Sequence, residues 1–269
     1  MKSTLTRERK GSVRHTRGKK IALVLCLLLI VGAVTALTHD GIRLYFLVKN
    51  SEQLIKAAVP FNRTDPNATM KILVLGDSTA VGTGAAHPED STAGRLAASY
   101  PKAAVVNLAV NGLRIEGLLT LLKTVDATTH YDLVLIQIGA NDIIRLTSMP
   151  DIATGIDKVL ARAELFHGQI ILLHSGAVGE APIFPWYFRS WLSRRSLAVR
   201  ELYKKAAPAH GAEYVDLIDS PVAELLRKDP EKYYANDGLH LTDAGYGLWF
   251  EEIKKHLAPP PLMSRASGP

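Results

Sequence analysis

From residue 71 onward, short apolar runs alternate with longer segments in which apolar residues recur at helical spacing. The short runs are KILVLG (71–76), AAVVNLA (103–109), DLVLIQIG (132–139), QIILLHS (169–175) and AEYVDL (212–217). Each is rich in Val, Ile and Leu and nearly continuous in hydrophobicity. A strand buried on both faces has this pattern, and such strands belong to parallel sheets. Between them the pattern predicts helices over STAGRLAASY, starting at Ser91 as N-cap, and over roughly 113–124, 151–166, 190–207 and 243–256. Alternating strand and helix predict a doubly wound, flavodoxin-like α/β/α domain of three layers around a parallel five-stranded sheet. Ligands of such sheets bind at the carboxyl ends of the strands, so functional residues are expected just after the strand runs.

A different pattern occupies the N-terminus. Residues 21–38, IALVLCLLLIVGAVTALT, carry no charge over 18 positions. At 1.5 Å per residue a helix of this length reaches about 27 Å, close to the hydrocarbon thickness of a bilayer. One reading is an uncleaved signal anchor. The other is a secretory signal peptide, with Val34 and Ala36 offering small residues for cleavage. The length favours the anchor. A helix apolar on all sides has no place in the core of a domain this size.

Charge fixes the expected orientation. Lys2, Arg7, Arg9, Lys10, Arg14, Arg17, Lys19 and Lys20 stand against Glu8 alone in the first 20 residues. Only Arg43, Lys49 and Lys56 follow within the next 20 residues after the run. The N-terminus is therefore expected in the cytoplasm and the rest outside it, membrane-anchored, or secreted if the segment is cleaved. The overall net charge of +6 resides in that tail, and the remainder holds 24 basic and 25 acidic residues. That balance removes the compositional argument for nucleic-acid binding. The single cysteine, Cys26, lies inside the apolar run, so neither an intrachain disulfide nor a cysteine metal site is expected.

These shifts divide the chain into a basic tail (1–20), an anchor (21–38), a connector (39–69), a catalytic-type domain (70–257) and a disordered tail (258–269). In the connector IRLYFLVKNSEQLIKAA is helix-like, and VPFNRTDPNATM reads as a loop.

Four blocks carry candidate chemistry. Gly76-Asp77-Ser78-Thr79 follows the first strand run, with Ser78 two residues beyond its end. Gly112 follows Asn107-Leu-Ala-Val-Asn111 after the second. Gly139-Ala140-Asn141-Asp142 follows the third. Asp237-Gly238-Leu239-His240 lies near the C-terminus, just before the last predicted helix. Each block alone reads equally as an ordinary turn. Together they offer a hydroxyl nucleophile, backbone and amide N–H donors, and a carboxylate three residues from an imidazole.

The set, in this order and on this rhythm, resembles the SGNH hydrolases, also called the GDSL esterase/lipase superfamily. The match covers about residues 71–256. The resemblance implies a serine hydrolase of carboxylic esters acting through an acyl-enzyme. Ser78 would be the nucleophile, His240 the general base and Asp237 its partner. The oxyanion hole would comprise Ser78 N–H, Gly112 N–H and the Asn141 amide. The first block reads GDST rather than GDSL, a departure at a position without a chemical role. The substrate would be a small-molecule or envelope ester, and neither metal nor organic cofactor is implied. An acyltransferase using the same site, for example in O-acetyl transfer, and a catalytically silent tethered binding domain are the alternatives.

Other readings fit less well. Gly76, Gly82 and Gly84 lack the spacing of a dinucleotide-binding loop, and no G-K-[ST] follows. An α/β-hydrolase elbow would require G-x-S-x-G, but Ala80 stands at the last position. The aromatic segment GAVGEAPIFPWYFRSWL (176–192) could line an acyl pocket, touch a membrane or clamp a loop on the core. Arg189, Arg194 and Arg195 read as a solvated helix face. His174 reads as structural, and His87, His130, His167 and His210 as residues without evident partners.

Overall fold

The computed structural model describes residues 9–258, with side chains described from Lys19 onward except Ile21. The chain divides into two units, with the boundary between Phe46 and Leu47.

The first unit is the greater part of a helix, Arg9–Ala57 (α1). The apolar side chains of its central stretch, from Leu23 to Leu37, are exposed. The helix is long and apolar enough to cross a membrane. Residues 1–8 of the basic tail lie outside the described residues, as does the C-terminal tail from 259.

The second unit begins with the last turns of α1, so the expected connector starts as helix. After it come Met70–Gly76 (β1), Ser78–Val81 (α2), Thr92–Ser99 (α3), Ala103–Asn107 (β2), Ile115–Leu122 (α4) and Leu133–Gln137 (β3). Then follow Ala140–Ile144 (α5), Met149–Ala163 (α6), Gln169–Leu173 (β4), Trp186–Ala209 (α7) and Glu213–Val215 (β5). Pro221–Lys228 (α8), Pro230–Tyr233 (α9) and Asp243–Lys254 (α10) complete the order.

All strand pairs are parallel, in the order β2-β1-β3-β4-β5. This is the expected doubly wound sheet. Every residue of the central β3 is buried, whereas edge strand β2 alternates buried and half-buried positions. Alternate residues of each strand serve different layers. Leu73, Leu75, Val134, Ile136, Ile170 and Leu172 pack with α4, α6 and α7. Ile72, Val74, Leu133, Leu135, Ile171 and Leu173 pack with α3 and α10.

Several helices start where a side chain accepts an otherwise unpaired N–H. Ser91 Oγ accepts from Gly94, Ser148 Oγ from Asp151 and Thr242 Oγ1 from Gly245. Helices α8 and α9 went unpredicted, although Ser220-Pro221 and Asp229-Pro230 place a cap before a proline in the first turn.

The segment after α1 is not a free loop. Arg63 pairs with Val105 through two backbone hydrogen bonds of 3.0 and 2.8 Å. Its guanidinium donates to the carbonyls of Ala97, Tyr100 and Ala103. The exposed edge of β2 is thereby partly covered.

Candidate active site

The site is assembled at the carboxyl ends of β1, β2 and β3, as the parallel sheet requires. At the end of β1, Gly76 has φ +144°. An ideal Cβ there would lie 1.8 Å from the Gln137 carbonyl oxygen, so only glycine lets β1 turn this close to β3. Asp77 caps α2, its Oδ1 accepting from the Thr79 N–H at 3.0 Å and from the Thr79 hydroxyl at 2.8 Å. The fourth position of the first block, to which no chemical role was assigned, thus has a structural partner in Asp77. Ser78 is the first residue of α2 and is 8% exposed.

Asp237, His240 and Ser78 form a continuous hydrogen-bonded row. Asp237 Oδ2 lies 2.6 Å from His240 Nδ1, and His240 Nε2 lies 3.0 Å from Ser78 Oγ. The other carboxylate oxygen accepts from the N–H groups of Leu239 and His240, at 2.9 and 3.0 Å. With Nδ1–H donating to Asp237, Nε2 is left to accept the Ser78 hydroxyl proton. Burial alone would raise the Asp237 carboxyl. The hydrogen bond and charge of His240, with the two N–H groups, instead hold it below its ordinary value, so it stays ionised. Complete burial pushes Asp77 up to about 6 against the opposing pull of Thr79 and His240.

Gly112 and Asn141 line the same cavity as Ser78 and His240. Among the described residues, the Ser78 N–H, the Gly112 N–H and the Asn141 side-chain amide have no protein acceptor. Gly112 has φ +74°, which glycine adopts without strain.

The loops that carry these groups are braced. Asp142 Oδ2 accepts from Ile115 N–H at 3.0 Å, capping α4 rather than the segment that follows it. Arg195, expected on a solvated face, instead reaches from α7 to the carbonyls of Ile143 (3.1 Å), Asp142 (3.3 Å) and Thr147. Tyr203 OH donates to Ile138 O at 3.1 Å. No local sequence signal marks Arg195 or Tyr203, because both act across the fold.

The cavity has a volume of about 280 Å³. Its apolar lining includes Ile144, Val178, Leu217, Leu226 and Trp249. Ser51 and Ile55, from the last turns of α1, complete its wall. Asn111 Nδ2 donates to Ile55 O at 3.5 Å and Asn50 Nδ2 to Asn236 O at 2.9 Å. Among the described residues, no three His, Cys, Asp or Glu side chains are grouped to hold a metal ion.

Across residues 74–248 the sequence matches the GDSL-like lipase/acylhydrolase family. The chain belongs to that family. Solved structures share the fold at low identity. A lipolytic protein of the G-D-S-L family from Veillonella parvula is 18% identical, with TM-score 0.57, over 70% of this chain and 97% of that one. The lipase/acylhydrolase from Enterococcus faecalis is 22% identical, with TM-score 0.53, over 70% and 95%. An acetyl xylan esterase from Geobacillus stearothermophilus is 20% identical, with TM-score 0.52, over 70% and 94%. No curated protein matches the chain.

The remaining histidines of this lipase/acylhydrolase domain lie away from the cavity lining. His210, read from sequence as unpartnered, bridges Glu164 at 2.8 Å and Asp157 at 2.9 Å. His130 lies 3.5 Å from Asp132. His174 is buried beside Tyr203 and Tyr214, and neither ring nitrogen has a hydrogen-bond partner. Burial lowers it to about 4 from 6.5, with Asp216 opposing and Arg200 reinforcing.

A pH-dependent result follows from His174. Its folded value lies below its unfolded one, so it favours the folded state above pH 6.5, and that contribution is lost as the pH falls toward 4. Asp77 acts with the opposite sign, favouring the folded state at low pH and losing that contribution as the pH rises through 3.8 to about 6. The difference between His174→Leu and wild type isolates the histidine. From pH 7 to pH 4 the variant should gain about 3 kcal/mol relative to wild type, measured by urea unfolding at each pH. A pH-independent difference would exclude a neutral buried His174.

Proposed function

We propose that the protein is a serine hydrolase of carboxylic esters, with Ser78 as nucleophile, His240 as general base and Asp237 as the group that orients and charge-stabilises His240. The observation that carries this reading is the unbroken Asp237–His240–Ser78 hydrogen-bonded row beside three uncommitted N–H donors. His240 Nε2 takes the Ser78 proton as Oγ attacks the ester carbonyl carbon. The carbonyl oxygen becomes an oxyanion held by Ser78 N–H, Gly112 N–H and the Asn141 amide. Collapse expels the alcohol, which takes its proton from His240. Water, deprotonated by the same imidazole, then attacks the acyl-enzyme and releases the acid.

The apolar wall at Val178, Leu217, Leu226 and Trp249 suits the acyl side of the substrate. The cavity volume of about 280 Å³ sits near the lower end of small-molecule sites, roughly 300–1,000 Å³. The basic tail and apolar helix support a membrane-anchored enzyme with its catalytic domain outside the cytoplasm, acting on small or envelope esters.

The test is hydrolysis of p-nitrophenyl esters from acetyl to long acyl chains by the full-length protein. Activity on one part of that series, lost in Ser78→Ala, is the expected result. A well-folded protein that hydrolyses none of them, yet is acylated at Ser78, would point to transfer onto another acceptor. Asn141→Ala removes one of three oxyanion donors. Its kcat should fall by about 10²–10³-fold with little change in KM. A comparable rise in KM at unchanged kcat would instead make Asn141 a ground-state binding residue.

A further inference from the structure

The catalytic unit presents an unusual apolar surface beside its active site. At the start of α7, Trp186, Tyr187, Phe188 and Trp191 are all exposed, Trp186 by 79%. The rings of the first three touch in sequence, with centroids 5.7 Å apart for Trp186 and Tyr187 and 5.2 Å for Tyr187 and Phe188. The segment 176–192 was a candidate clamp held on the core by its aromatics, but Val178 and Leu192 anchor it there, and of the aromatics only Phe184 packs against that core.

Two further exposed apolar residues follow the carboxyl ends of strands, as α7 itself does. Val110, after β2, is 47% exposed and stands two residues before Gly112. Leu146, after α5, is 55% exposed and follows Arg145 of the cavity wall. Leu146 has φ +61°, a left-handed conformation that a leucine adopts at a cost. The backbone on either side is held by Thr147 N–H to Asp142 O at 3.0 Å and by Arg195 on the Ile143 and Thr147 carbonyls. The fold thus maintains a strained backbone whose side chain is offered to the outside, at the rim of the Ser78 cavity.

Charge narrows what could cover this surface. Residues 184–197 contain no acidic residue; Arg189 and Arg194 are exposed, while Arg195 is held on the Ile143, Asp142 and Thr147 carbonyls. Trp and Tyr beside cations suit the interface of a bilayer, where rings enter the headgroup layer and arginines meet anionic phosphates. A second copy of the chain would bring the same cations face to face. We propose that the exposed aromatics of α7, with Leu146 and Val110, dock on the surface of an anionic lipid bilayer, so that the cavity receives its ester from the membrane. This rests on the membrane-anchor reading of α1. Eight residues, or nine Cα–Cα steps, separate Thr38, the end of the apolar run, from Leu47, the start of the catalytic unit. Even fully extended they reach about 32 Å, so an anchored chain keeps the unit at the bilayer.

The experiment uses the full-length protein in vesicles of phosphatidylcholine and phosphatidylglycerol, with and without acyl-brominated lipid as fluorescence quencher. The chain has three tryptophans, Trp186, Trp191 and Trp249, and Trp249 is buried at 3% exposure. Docking predicts loss of up to two-thirds of the emission, the share of two of the three tryptophans. In Trp186→Phe/Trp191→Phe the remaining emission should be unaffected by brominated lipid. Protein that floats with the vesicles but shows no quenching overturns the docking and leaves the anchor standing. Quenching that persists unchanged in the double variant also overturns it, because Trp249 would then be the residue in lipid. Failure to float overturns the anchor and the docking with it. Hydrolysis of soluble p-nitrophenyl esters, read in parallel, tests the catalytic reading separately.

Discussion

Ser78→Ala should lower kcat for ester hydrolysis by about 10⁴–10⁶-fold while leaving the fold and KM nearly unchanged. The size of the effect follows from what the hydroxyl does. Among the described residues it is the only group within hydrogen-bond distance of His240 Nε2, at 3.0 Å, that can form the covalent intermediate. Without it, His240 and the N–H donors can only assist direct attack by water. The substitution removes one oxygen at the first position of α2, where no helix hydrogen bond depends on it. The fold should therefore survive, and an unchanged circular dichroism spectrum would show this. Labelling of the wild type by a fluorophosphonate at Ser78, absent in the variant, provides a second readout. Wild-type rates in Ser78→Ala would end the covalent mechanism.

Gly76→Ala should produce the largest loss of stability. A methyl group there would meet the Gln137 carbonyl oxygen at 1.8 Å and its carbon at 2.7 Å, both backbone atoms of the neighbouring strand. Neither can yield without opening the β1–β3 ladder, in which Gly76 pairs with Gln137 and Asp77 N–H donates to Gln137 O. Overpacking of this kind costs about 1–3 kcal/mol or more, and a backbone region nearly reserved for glycine adds roughly 1–3 kcal/mol. Together these consume a large part of the 5–15 kcal/mol that typically holds a domain folded. The expected outcome is mostly insoluble protein, or a soluble fraction with a sharply lowered urea midpoint and negligible esterase activity. A midpoint within error of wild type would mean that β1 and β3 can separate at this point without cost.

Much of the fold was legible because it is written in local periodicity. Strands β2 to β5 fall inside their apolar runs, each somewhat shorter than its run, and β1 begins one residue ahead of its run, at Met70. The run QIILLHS ends in His174 and Ser175, which lie beyond the last ladder residue, Leu173. Helix α7 begins at Trp186, ahead of the predicted 190, because an aromatic first turn reads as loop when its burial is unknown. The helix-like reading of IRLYFLVKNSEQLIKAA agrees with α1 running to Ala57, whereas the bridge from Arg63 to Val105 depends on a strand brought from elsewhere in the chain, so the stretch from Val59 to Met70 read as a loop.

The same division holds at the site. Sequence alone determined which residues could carry the chemistry: Ser78, Gly112, Asn141, Asp237 and His240 stand in short blocks at strand ends, where chain direction and turn chemistry are local properties. It also determined the charge asymmetry of the N-terminus. Only the tertiary structure decided that His240, 162 positions from Ser78, lies within a hydrogen bond of it. It alone showed Arg195 bracing the Asn141 loop, Thr79 bonded to Asp77, and the α7 aromatics left uncovered beside the cavity. These contacts join positions far apart in sequence, or depend on which face of a helix meets the sheet. Such facts follow from packing the whole chain at once, and no local pattern encodes them.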